Sequence, residues 1–104
     1  MKSPQLHVTQ SVVLEMVRLA TEEVPGVLRI GRGGPRWRAA LVGSPIDVTI
    51  REGTADVRVT VIARPGQPLG MLARQVRGAV TGAIERLLGL RVGTVTVVVD
   101  GVGS

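Results

Sequence analysis

The chain has 104 residues, 44% of them hydrophobic and 20% charged, with thirteen basic residues against eight acidic ones for a formal net charge of +5. That is the length of one domain, apolar enough to bury a core, but it holds no cysteine, one histidine (His7) and one aromatic residue (Trp37). Disulfides, thiolate zinc sites, a cysteine nucleophile and multi-histidine metal sites are excluded, a Ser-His-Asp triad nearly so, and a base-stacking platform cannot be built.

Leu6 and Val8 alternate with His7 and Thr9, which predicts a short first strand with Thr9 as the cap of a helix. Val13, Met16, Val17, Ala20 and Val24 recur at helical spacing, with Glu15, Arg18 and Glu22 opposite, and Pro25-Gly26 ends the helix. Val27 to Ile30 is a short apolar exit. Gly31 to Pro45 predicts a long basic loop: it carries Arg32, Arg36 and Arg38, and no carboxylate lies between Glu23 and Asp47.

Ile46, Val48 and Ile50 alternate with polar residues, as do Val57, Val59 and Val61, and Glu52-Gly53-Thr54 joins the two runs into a hairpin. Past the breaker-rich Arg64 to Pro68, a second helix carries Leu72, Val76, Ala79, Val80, Ala83 and Leu87 on one stripe, and Gly89 ends it. Thr94 to Val99 is the last strand. The order β-α-β-β-α-β, with one-sided strands and one-sided helices, implies an α+β two-layer sandwich. Two helices cover one face of a four-stranded sheet, and the other face stays open.

The chemistry-bearing residues are few. Gly31-Arg32-Gly33-Gly34 has the GxxG spacing of a phosphate clamp, but Pro35 follows at once and the run reads as a glycine loop kept solvated by Arg. Arg32, Arg36, Trp37 and Arg38 form the candidate contact with an anionic surface, a membrane or a partner. Trp37 alone reads as a plug at the end of the core, since it carries the largest apolar area available. Gly78 and Gly82 lie together on the second helix and permit close approach of another backbone. The expected neighbour is the first helix, with a second subunit as the other option. Val98 and Ile62 are apolar on the nominally polar face, which points to self-association or to burial at a central strand. His7 has no acid or nucleophile near it in sequence. No catalytic residue, metal site or cofactor site is expected, and no run is long and apolar enough to span a membrane. The expectation is a cytoplasmic protein whose membrane contact is peripheral or through a partner.

Three segments carry a resemblance. The close of the first helix, "VPGV", the hairpin "IDVTIREGTADVRVTVIAR" and the end "LARQVRGAVTGAIERLLGLRVGTVTVVVDGV" together resemble the bacterial alkaline-shock protein family, also called the envelope stress response family. The resemblance covers nearly the whole chain, which then is a single alkaline-shock-like domain, 1–104, with a basic Gly/Arg loop at 31–45. It implies a non-enzymatic protein of Gram-positive cell-envelope homeostasis that self-associates as a homo-oligomeric scaffold or adaptor. It further implies a small membrane-anchored protein partner, with an anionic lipid surface as a further candidate. The family has no established catalytic residues to carry over. Many of its members are more acidic than this chain, whose central loop is rich in Arg and poor in acids. A nucleic-acid-binding module using that loop, and a regulator acting on a metabolic enzyme by protein contact, are the alternatives.

Overall fold

The computed structural model describes residues 10–35, 37 and 43–103. Helix α1 (Gln10–Glu22) buries Val13, Val17 and Ala20 on one side. On the other, Arg18 reaches back to Glu15 and forward to Glu22, the latter at 2.8 Å, the one-turn neighbours a helix brings together. The amide of Glu23 still donates to the Leu19 carbonyl at 3.2 Å, but Pro25-Gly26 turns the chain away. A β-carbon at Gly26 would lie 2.8 Å from Leu72 Cδ1, so the end of α1 abuts the start of the second helix, and the two run antiparallel.

Strand β1 (Val27–Ile30) follows directly, so the apolar exit is itself a member of the sheet. Strands β2 (Ile46–Arg51) and β3 (Thr54–Ala63) form the expected hairpin. Its turn places Glu52 at φ 52° and Gly53 at φ 74°, left-handed values that a two-residue turn between twisted strands requires. Helix α2 (Leu69–Ala83) continues into one π-helical turn, Ile84–Leu88, and Gly89 closes it at φ 67°. Strand β4 (Arg91–Val102) extends beyond the predicted Thr94–Val99 at both ends. The expected strand at Leu6–Val8 and the Thr9 cap lie outside the described residues.

Strand β3 is the centre of the sheet. It pairs antiparallel with β1 and β2 along one edge and parallel with β4 along the other. β1 and β2 share their edge end to end: Ile30 stands opposite Val61 and Ile46 opposite Val59. At the intervening Thr60, the Gly31 amide donates to the Thr60 carbonyl (3.0 Å) and the Thr60 amide donates to the Pro45 carbonyl (2.8 Å). Gly31 and Pro45 thus supply between them the N–H and C=O of a single residue, and Pro45 contributes only the acceptor that a proline keeps. The basic segment is an excursion from one continuous edge strand.

Both helices pack on each other and on one face of the sheet, as expected of the two-layer α+β fold. Ala55, Val57, Val59, Val61 and Ala63 of β3 meet Val13 and Val17 of α1 and Leu72, Val76, Val80 and Ile84 of the second helix in one buried cluster. At the start of β4, the Asp56 carboxylate accepts from the Thr94 amide at 2.8 Å and from its hydroxyl at 3.0 Å. These bonds, with a smaller contribution from Arg51, hold the Asp56 carboxyl below its ordinary pKa. Gly93 has no side chain where that carboxylate lies.

Candidate functional site

The open face of the sheet is partly roofed. Thr60 and Ile62 point away from the helices, yet Ile62 is only 3% exposed. The Gly33 amide donates to Asp100 Oδ2 at 2.7 Å and pins the start of the excursion across the end of β4. A β-carbon at Gly33 would lie 2.5 Å from the Asp100 carbonyl oxygen and 3.6 Å from Ile62 Cδ1. Burial at the central strand, not an exposed patch, accounts for Ile62. Gly33 therefore serves close packing, and the glycine run is folded onto the sheet at this point.

Of the four loop contact residues, Arg32 stays with the fold, its Nη2 donating to the Ser44 carbonyl at 3.2 Å and bridging the two arms of the excursion. Trp37 is 66% exposed, so it is no plug of the core. The core closes without it because the valines of β3 and the two helices already fill the interlayer space. Arg36 and Arg38 lie outside the described residues.

The glycines of α2 are also placed differently from the first expectation. Gly78 is exposed and a β-carbon there meets nothing within 4 Å, so it does not face α1. At Gly82 the space is taken by the Arg86 guanidinium, 2.8 Å away. Residues 75, 79 and 83 are the ones that face α1, one step round the helix from the glycines. Val98 is half-buried, on the face of β4 away from the helices.

The helix layer carries a feature that periodicity did not separate from the core. An open groove of about 600 Å³ runs between α1 and the second helix, floored by Ala20, Ala79 and Ala83 and flanked by Met16, Leu19 and Leu87. Leu19 is 45% exposed and Leu87 66%. The π turn explains Leu87: a wider turn shifts the phase of the helix, which rotates Leu87 off the core stripe it would occupy in a regular α-helix. Because the helices are antiparallel, Glu23 and Gln75 lie at one end of the groove and Arg86 at the other. Among the described residues no group of three or more His, Cys, Asp or Glu could hold a metal ion, and no helix is long and apolar enough to cross a membrane.

A family model of alkaline-shock proteins, described by a cell envelope-related function, matches residues 1–104. The chain belongs to the alkaline-shock protein family. No curated protein matches it in sequence. The fold of this alkaline-shock domain is similar to solved structures of the MamM CTD. With MamM-CTD 215–293 the TM-score is 0.57 at 15% identity, covering 89% of this chain and 99% of that one. A zinc form and a manganese form of variant MamM CTD both give 0.56, at 15% and 16% identity, covering 88% and 89% of this chain and 84% and 99% of theirs. At such identity the likeness is one of fold, and the metals named belong to those proteins.

Proposed function

We propose that this alkaline-shock domain is a non-enzymatic scaffold or adaptor of the cell envelope, self-associating and docking through the groove between its two helices onto a membrane-anchored protein. The groove carries the reading. It is lined mainly by apolar side chains, with its charges at the ends, and is floored by alanines that admit a close backbone. Those features suit an amphipathic helix with apolar side chains at helical spacing. The charges at its ends give that helix a direction. Glu23 favours the helix N-terminus, where the dipole is positive, and Arg86 favours its C-terminus. A photo-crosslinking side chain placed at Leu19 or Leu87 is expected to capture an envelope-anchored protein in cells, and the same probe at exposed Arg58 is not. Capture at Arg58 alone, or none at the groove, would reject the groove as the docking site.

A second contact, with an anionic lipid surface, is favoured by the exposure of Trp37 within a segment that carries four arginines between Glu23 and Asp47 and no acid. An indole beside arginines suits the boundary between headgroups and acyl chains. Trp37 emission should shift to the blue with vesicles of anionic lipid and not with neutral ones, and the shift should weaken with salt. A response to DNA or RNA without one to vesicles would favour the nucleic-acid reading instead.

A further inference from the structure

We infer that the outer edge of β4 is the surface through which two copies of this chain pair, antiparallel, to form one continuous sheet. The inference rests on the proposed self-association and names the surface that performs it.

Hydrogen-bond parity fixes which backbone groups are on offer. Thr60 gives both its N–H and its C=O to the β1/β2 side of β3. The even residues of β3 therefore serve that side and the odd ones serve β4. Val57, Val59 and Val61 stand opposite Val95, Val97 and Val99. In a parallel ladder each bonds to the residues flanking its partner, so Thr96 and Val98 turn inward and Val95, Val97 and Val99 turn their backbone groups outward. The Val95 carbonyl is met by Arg77 Nε at 3.3 Å. Among the described residues no strand pairs with this edge.

The two sheet edges are treated differently. On β2 the outward Val48 carbonyl accepts from the Gln10 side chain, and Asp47, Arg51 and Glu52 place charge along the strand and its turn. Such devices keep an edge from pairing. From Val92 to Val99, β4 itself carries no charge and no proline, and the Arg77 side chain covers one outward acceptor, the Val95 carbonyl. Arg91 precedes that run and Asp100 follows it. Antiparallel pairing sets the basic end of each copy beside the acidic end of the other.

A two-fold axis through Val97 pairs the outward groups, with exposed Arg77 giving up the Val95 carbonyl to the Val99 amide of the second copy and Asp100 facing Thr94, three residues from Arg91. Val97 faces Val97 of the second copy and Val95 faces Val99, so outward backbone meets outward backbone. The side chains of all three lie on the helix side, and Val97 and Val99, now half-buried, become interior. Thr96 falls opposite Val98 on the other face, in the closely spaced kind of cross-strand pair. An isologous contact of this kind closes on itself as a dimer.

The test is a charge swap at that pair, read by sedimentation over a concentration series. T96K/V98K and T96E/V98E place charge on the face of β4 away from the helices, and circular dichroism checks that each folds. The native chain is expected to be dimeric, each double variant monomeric, and their equimolar mixture dimeric again. Amide exchange at Val97 and Val99 is expected to slow as the native chain is concentrated. A native chain that stays monomeric would overturn self-association and this interface together. A native dimer that the double variants leave intact, or variants that do not recombine, would overturn this interface alone. Loss of the dimer in L19E/L87E, with the edge variants still dimeric, would assign self-association to the helix groove instead.

Discussion

At the residue scale, the buried hydroxyl of Thr21 has no hydrogen-bond partner among the described residues, although the residue is completely enclosed in α1. Burying a polar group without a partner costs about 1–3 kcal/mol, which a methyl of the same shape does not incur. Thr21→Val should therefore raise stability by about 1 kcal/mol in chemical denaturation. Asp56 is the opposite case, a carboxylate held by its partners. Its folded pKa lies below the unfolded value, so its contribution is complete above the ordinary carboxylate range and is lost as pH falls through the folded pKa. Asp56→Asn should be less stable than the native chain at neutral pH, with the gap narrowing in acid. Melting curves of both proteins along a pH series would show it. Gly33→Ala should destabilise by about 1–3 kcal/mol, since the new β-carbon presses on the Asp100 backbone and not on a movable side chain.

At the scale of elements, the alternation of Val57, Val59 and Val61 and the stripe Leu72, Val76, Val80 were readable in the sequence because each has one dominant environment. Val27–Ile30 was harder. Four residues give too short a pattern to separate a strand from an exit, and its place is fixed by pairing with Ala63, Ile62 and Val61, far along the chain. Leu87 misled for a different reason: a helical wheel assumes a constant turn, and the π turn breaks that assumption. The orientation of Gly78 and Gly82 was out of reach because the sequence does not say at what angle α1 crosses the second helix. Now that Gly78 is seen to be open, Gly78→Ala should stabilise the isolated domain by up to about 1 kcal/mol, the ordinary cost of glycine in a helix. A higher Tm in thermal unfolding checks it.

At the scale of the whole molecule, the helix layer and the sheet meet across a single core, so one residue can report on both. Leu72 is buried where the second helix meets the sheet and the end of α1. Leu72→Ala should cost about 2–5 kcal/mol, a large part of what a domain this small holds, and unfold it cooperatively well below the native midpoint. The helix groove and the outer edge of β4 lie on different sides of this core. The partner and the second copy proposed above would therefore not compete for one surface.

The junction at Thr60 has a consequence for how this domain can change. The departing and returning arms complete a single rung, so nothing in the ladder counts how many residues lie between them. The rung is built from backbone groups alone, so a change of side chain at either arm leaves the register of this edge in place.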